Sequence, residues 1–343
     1  VNLPATMFAL RQMSLNGPGD LRPVTDAPVP GPGPGEILIR VTAAGVNYAD
    51  LMQAHGAYPG GPRPPYVAGI EAAGEVVAIG QGVEFPPLGT HVVGVDMRGG
   101  AFAEYATLPA AAAMPVPPGW TDAQVLGLGI NWPTALAALK SLGRIASGET
   151  VLIHAAAGAT GRAAVILAEH YGAIVLAAAS PAKHDAVRAL GADHVLDSRA
   201  ADLAAEVFRL TGGAGVDLVL ESAGGETFAA SLAVAKRVTG RVVVYGTAGG
   251  DASITNRDLV FEHQVQLIGL NIGVLIGSAP AVFGELMGEL SALVATGVIT
   301  PVDPAVHRLA DGSKVLAELE NRATVGKLAL APDSTSTSAL RST

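Results

Sequence analysis

The sequence predicts an α/β protein of two domains, a doubly wound parallel sheet and a compact antiparallel β-barrel. Three observations predict it. From Thr150 to Gly269 short apolar runs alternate with helical stretches, the pattern of β-α-β crossovers. The chain before this region is instead rich in glycine and proline, as in Gly31-Pro32-Gly33-Pro34-Gly35, and carries short β-type runs. Finally, Thr150-Val151-Leu152-Ile153 leads through a small-residue turn into an Ala-rich helix that opens near Gly158.

The runs Ile37–Val41 and Gly74–Ile79 read as strands of the barrel. Six strands follow in the parallel region, at Val151–His154, Ile174–Ala178, His194–Leu196, Leu218–Glu221, Val242–Tyr245 and Gln266–Leu270. Gly172, Gly191, Gly212 and Gly240 stand where left-handed helix caps are wanted. A helix over about 279–295, a further helix through Leu319 and the strand Gly326–Leu330 are expected to return to the first domain. The domains are therefore placed at 1–125 with 275–343, and at 126–274. The Ser/Thr-rich tail 332–343 is expected to be disordered.

The turn after the first parallel strand carries the chemistry. Gly158 and Gly161 fit the last two glycines of G-x-G-x-x-G, with Ala156 at the first, so that backbone can approach a pyrophosphate at a helix N-terminus. An NAD site places an acidic residue about 20 positions further on. Ser180 stands there instead, followed by Lys183, His184 and Arg188, which points to NADPH rather than NADH. The competing reading makes Lys183 and Arg188 the solvated face of the next helix.

Composition excludes several classes. A formal charge of −9 without a cluster of Lys and Arg argues against a nucleic-acid partner. With no cysteine, the chain has no disulfide, thiol nucleophile or thiolate metal site, and its 8 histidines lack ligand spacing. No secretory signal is read at Val1-Asn2-Leu3-Pro4, so a cytoplasmic protein is expected. The uncharged run Val265–Phe283 is interrupted by Gln266, Asn271, Ser278, Pro280 and glycines, so it is read as a buried edge strand and loop, with no membrane span.

Several motifs in order resemble one family: Gly45-Val46-Asn47-Tyr48-Ala49-Asp50, Gly56-Ala57-Tyr58-Pro59, Gly69-Ile70-Glu71-Ala72-Ala73-Gly74, Gly99-Gly100-Ala101-Phe102-Ala103-Glu104-Tyr105, the His154–Gly158 turn and Gly326-Lys327-Leu328. The set resembles the medium-chain dehydrogenase/reductase superfamily, and within it the zinc-free quinone oxidoreductase (zeta-crystallin-like) and enoyl reductase branch. That resemblance implies a Rossmann domain with a GroES-like catalytic domain. Zinc-dependent members hold their metal with a Cys, the His of Gly-His-Glu and a further Cys or acid; here the middle motif is Gly69-Ile70-Glu71.

By the same resemblance Asn47 and Asp50 lie on the loop that closes over the nicotinamide, and Thr134 lies near its ribose or ring. The bland alternatives are a turn Asn, a capping Asp and a helical Thr. Tyr58 stands where relatives carry a tyrosine facing the substrate, able to donate a hydrogen bond or a proton; a tyrosine packed under its loop is the alternative. Gly158, Ala159, Thr160 and Gly161 are assigned to the pyrophosphate, Ser180 and Lys183 to the 2′-phosphate, and Gly246, Asn271 and Arg322 to the rest of the cofactor. Asp197-Ser198-Arg199 replaces a tyrosine that relatives often carry; Arg199 substitutes electrostatically and Asp197 opposes it. The implied activity is NADPH-dependent, zinc-independent hydride transfer to a quinone or α,β-unsaturated carbonyl. The alternatives are an enoyl reductase of a polyketide-type intermediate and a non-catalytic NADPH-binding crystallin-like protein. A homodimer paired through the sixth strand is expected.

Overall fold

The computed structural model describes residues 3–200 and 202–333, so Val1, Asn2, Ala201 and the tail beyond 333 lie outside the described residues. The chain divides into two compact units, Val1–Ile130 with Pro301–Thr343, and Asn131–Thr300.

The first unit begins with β1 (Thr6–Gln12), β2 (Leu21–Pro28), β3 (Glu36–Val46), α1 (Tyr48–Ala54), β4 (Tyr66–Val67), β5 (Glu71–Ile79), β6 (His91–Val95), β7 (Tyr105–Pro109) and β8 (Met114–Pro115). The second unit contains α2 (Asn131–Leu136), β9 (Thr150–Ile153), α3 (Ala159–His170), β10 (Ile174–Ala179), α4 (His184–Arg188), β11 (His194–Asp197) and α5 (Leu203–Leu210). It continues with β12 (Leu218–Glu221), α6 (Gly225–Val234), β13 (Arg241–Val244), β14 (Gln266–Gly269), α7 (Ile272–Ser278) and α8 (Pro280–Ala295). The chain then re-enters the first unit as β15 (Ala305–Arg308), α9 (Gly312–Glu320) and β16 (Leu328–Ala331).

The first unit carries a three-stranded sheet, β2-β1-β4, and a seven-stranded one, β15-β16-β3-β5-β6-β8 with β7 also paired to β3. Every pairing is antiparallel except β15 with β16. Leu10, Ile37, Ile39, Val76, Phe102 and Leu330 anchor its core. β3 is the long spine; it bends at register shifts between Leu38 and Ile39 and between Val41 and Ala43, which lets both β5 and β7 pair with it.

The second unit is a six-stranded parallel sheet in the order β11-β10-β9-β12-β13-β14. The order reverses between β9 and β12, the topological switch point of a doubly wound fold. Val151, Leu152, Ile153, Val175, Val219 and Leu220 are fully buried, as strands covered on both faces require. The six parallel strands expected from the sequence are reproduced to within a residue at their ends, whereas β3 and β5 of the first unit are longer than the runs Ile37–Val41 and Gly74–Ile79 expected there.

Three expectations need correction. Gly240 has no left-handed backbone: α6 ends at Val234, and Gly240 instead donates its N–H to Lys236 O at 2.7 Å in a tight turn. The run Val265–Phe283 is not a buried strand and loop. β14 is an exposed edge strand, and the segment after it is helical because Asn271 caps α7. The return to the first unit falls after Thr300, not at 275, because α8 buries Leu286, Leu290 and Leu293 and its Glu289 accepts a 2.6 Å hydrogen bond from the Tyr171 hydroxyl. Among the described residues no single helix is long and apolar enough to cross a membrane.

Arg241, nearly buried, pins the entrance to this sheet. Its guanidinium donates to the carbonyls of Gly143 at 2.7 Å and Arg144 at 2.8 Å, and pairs with Glu149 at 2.7 Å. Replacing it leaves three acceptors unmet. Arg241→Met is expected to lower stability by about 3 kcal/mol, read as a fall in Tm on thermal unfolding; an unchanged Tm would contradict this role.

Candidate active site

In the second unit the pyrophosphate turn is stitched to the sheet. Ala156 N–H donates to Ala178 O at 3.1 Å, and the residue is fully buried. The left-handed residue of the turn is its neighbour Ala155, at φ 49°. A glycine at the first motif position is therefore not needed for turning, and the conformational cost, about 1–2 kcal/mol for an L-residue, falls on Ala155.

The two remaining glycines act differently. A Cβ on Gly161 would lie 2.3 Å from Ala155 O and 2.7 Å from Ala156 Cα, so only glycine lets α3 approach the turn this closely. A Cβ on Gly158 would meet only Ala155 O, at 3.4 Å, an ordinary contact. Protein packing does not demand a glycine there; the open space lies at the N-cap of α3, which no side chain caps. Ala159, Thr160 and Gly161 open that helix, and Thr160 Oγ1 accepts from Asn131 Nδ2 at 3.1 Å. A backbone cradle at an uncapped helix N-terminus suits a pyrophosphate.

Beyond β10, Ser180 begins a short turn that ends at Lys183. Burial lowers the Lys183 ammonium, and the nearby Arg199 guanidinium lowers it further, so two cations share this corner. Asp197 Oδ1 accepts the Arg199 backbone N–H at 2.9 Å. Arg188 pairs with Asp185 on an exposed face of α4, so the solvated-face reading describes Arg188. Gly246 follows β13 and lies against Ser222, whose carbonyl oxygen a Cβ would approach to 2.5 Å. Asn271 Oδ1 accepts from Val274 N at 3.1 Å as the cap of α7, and Thr134 is buried on α2.

In the first unit Asn47 and Asp50 are brought together by the start of α1 as a capping box. Asp50 Oδ2 accepts Asn47 N–H at 2.7 Å and Oδ1 accepts Ile70 N–H at 3.0 Å. The Asn47 amide donates to Glu71 Oε2 at 3.0 Å and Gly45 O at 3.2 Å, and its Oδ1 accepts from Lys327 Nζ at 2.7 Å. Lys327 also donates to Glu71 Oε2 at 2.6 Å, and Gly127 N–H donates to Glu71 Oε1 at 2.5 Å. Glu71 and Lys327 are thus central to the cluster, although in the sequence they stand out only as members of the motifs Gly69-Ile70-Glu71 and Gly326-Lys327-Leu328. Their side chains are 0% and 11% exposed, so the charges compensate one another.

Burial pushes Asp50 up to about 7, against the pull of Asn47 N–H and Lys327, and Glu71 adds to the rise. Tyr66 is pushed up to about 12, by burial first and then by Asp50. Tyr58 is half-buried in the turn after α1, where its carbonyl accepts Gly61 N–H at 3.0 Å. Nearby Gln53 is buried, donates to Met97 O at 2.8 Å, and leaves Oε1 without a partner among the described residues. Arg322, left-handed at φ 55°, follows α9 and lies close enough to Tyr48 to lower its phenol against the rise that burial causes.

A carboxyl raised in the folded state binds a proton that the unfolded chain releases. Stability from Asp50 is therefore present below pH 3.8 and lost as pH rises to about 7. Asp50→Asn is expected to flatten the decline of Tm across pH 4–7; parallel pH profiles for the two proteins would contradict this.

Comparison with known proteins places these parts. Residues 33–118 match the alcohol dehydrogenase GroES-like domain and residues 159–292 the zinc-binding dehydrogenase domain. The structure of mycobacterial Rv1454c complexed with NADPH matches with TM-score 0.88 and 34% identity, over 95% of this chain and 100% of that one. A Pseudomonas syringae pv. Tomato DC3000 quinone oxidoreductase matches with TM-score 0.88 and 29% identity, over 95% and 100% of the two chains. The CurK enoyl reductase matches with TM-score 0.85 and 27% identity, over 95% and 99%. The phthioceranic/hydroxyphthioceranic acid synthase of Mycobacterium tuberculosis is 33% identical over 327 residues, 93% of this chain, and the chain spans 15% of that protein's length.

The zinc in the second domain's name finds no fitting donors here. Ile70 occupies the His position, fully buried. Among the described residues no group of three His, Asp or Glu could hold a metal. The glycine turn, the parallel sheet and these likenesses make the chain an oxidoreductase that belongs to the quinone oxidoreductase branch of the medium-chain dehydrogenase/reductase family.

Proposed function

We propose that this protein is an NADPH-dependent reductase that delivers hydride to a conjugated acceptor, a quinone or an α,β-unsaturated carbonyl. The observation that carries this reading is the Lys183–Arg199 pair beyond a strand end that has Ser180 where an NAD site has a carboxylate. NADPH complexed with the relative Rv1454c supports the same cofactor. The likenesses to a quinone oxidoreductase and to an enoyl reductase support a conjugated acceptor.

When bound, NADPH supplies the hydride; the chain supplies position and charge. Ala159, Thr160 and Gly161 would offer backbone N–H groups to the pyrophosphate, Ser180, Lys183 and Arg199 would hold the 2′-phosphate, and Thr134, Gly246 and Asn271 are the second unit's candidates for the rest of the cofactor. A conjugated acceptor is already activated, so its reduction asks for hydride and one proton without a Lewis acid. Tyr58 is the donor we assign to that proton. Asn47 and Asp50 act indirectly, because their polar atoms are engaged inside the first unit: they hold the start of α1 rather than reach the acceptor.

NADPH oxidation with quinones, enones and enoyl thioesters tests the reading. Turnover with at least one class is expected, and Tyr58→Phe should cut kcat about 100-fold while leaving NADPH binding intact. Absence of turnover with every class would favour a non-catalytic NADPH-binding protein.

We also propose a homodimer, which the exposed edge of the parallel sheet supports. Among the described residues β14 pairs only with β13, and no charged residue stands between Val265 and Phe283. Leu267 is 38% and Phe261 70% exposed beside it. An uncharged, apolar edge strand invites pairing with a second copy across a two-fold axis. Light scattering should give twice the 34.4 kDa chain mass; a monomer would contradict it.

A further inference from the structure

Three polar side chains meet at the switch point of the parallel sheet, apart from the proposed cofactor contacts. His154 directly follows β9, Glu221 ends β12, and Ser231 lies on α6; all three are buried. Ser231 Oγ stands 3.0 Å from His154 Nε2 and 2.5 Å from Glu221 Oε2. The other carboxylate oxygen, Oε1, accepts the backbone N–H groups of Ala223 at 2.6 Å and Gly224 at 2.8 Å. Serine, histidine and acid look like a nucleophilic triad, but here the serine sits between the other two and has no exposure, so no acyl substrate can reach it.

The proton order follows from the acceptors. A carboxylate only accepts, so the Ser231 hydroxyl donates to Glu221 and its oxygen accepts from His154 Nε2–H. Burial lowers the His154 imidazole, which keeps it neutral. The chain of bonds therefore runs one way, from the residue that opens the pyrophosphate turn to the loop after β12.

That loop is locked to the next one. Gly249 N–H donates to Ala223 O at 2.5 Å, Gly225 N–H to Gly250 O at 3.1 Å, and the Ser222 side chain bonds the Tyr245 phenol. The loops after β12 and β13 are thus tied to each other, and Glu221 Oε1 fastens the first of them to the sheet. A dinucleotide laid across the switch point, with its 2′-phosphate beyond β10, has its nicotinamide half over β12 and β13.

We infer that His154, Ser231 and Glu221 form a positioning network that sets the nicotinamide-side loops in register with the pyrophosphate turn. It rests on the proposed NADPH site and adds the residues that hold its reduced end. Glu221→Gln preserves the network by reversing one bond. Its amide oxygen still accepts from Ala223 and Gly224, its amide donates to Ser231, and the serine hydroxyl turns to Thr227 O, already 2.9 Å away. Ser231→Ala has no such escape.

The experiment compares NADPH with adenosine 2′,5′-bisphosphate, which lacks the nicotinamide half, by titration of wild type, Ser231→Ala and Glu221→Gln. Ser231→Ala is expected to weaken NADPH about tenfold and diminish the change in nicotinamide fluorescence on binding, with the bisphosphate within twofold of wild type. Glu221→Gln should bind both within threefold of wild type. Equal losses for both ligands in Ser231→Ala, or no loss for either, would overturn the network while leaving the NADPH site standing. Wild type that binds neither ligand would overturn the NADPH site, and this inference with it.

Discussion

The approach of one helix to one turn governs the second unit. The N-terminus of α3 can sit against the end of β9 only because position 161 has no side chain to meet Ala155 O. Move that helix outward by a methyl group and its free N–H groups no longer converge on the space before Gly158. The parallel strands supply the rigid base for this approach, since Val151, Leu152 and Ile153 are locked between two layers of apolar side chains. The proposed phosphate cradle is therefore a consequence of packing, with Ala155 carrying the backbone strain that a glycine would have avoided.

The first unit solves a different problem, the burial of charge. Glu71, Lys327, Asn47 and Asp50 lie where the ends of β3 and β5, the start of α1 and the residue before β16 meet. Each polar atom answers another: Lys327 bridges Glu71 and Asn47, Glu71 also takes Gly127 N–H, and Asp50 takes two backbone N–H groups. Removing one member strands the rest in a low-dielectric interior. The cluster fixes the geometry of the loop that leads from Asn47 into α1 and on to Tyr58.

The parallel half was legible in the sequence because strands covered on both faces read as unbroken apolar runs, and Gly172, Gly191 and Gly212 punctuate them with positive φ. Gly240 broke the pattern because a glycine needed for close approach looks the same in sequence as one needed for a cap. β14 looked buried because apolar composition alone does not tell a core strand from an exposed edge. The capping box of Asn47 and Asp50 was local and readable. The partners Glu71 and Lys327 were not: 256 residues separate them. His154 and Ser231, 77 residues apart, are hidden for the same reason. Spacing on one helix or strand shows in a sequence; pairs made by the fold do not.

Direct titration with reduced cofactors, by calorimetry on the wild-type protein, tests the central claim most immediately. NADPH is expected to bind saturably, with an affinity at least tenfold tighter than that of NADH. No saturable heat with NADPH, or equal affinity for the two, would contradict it.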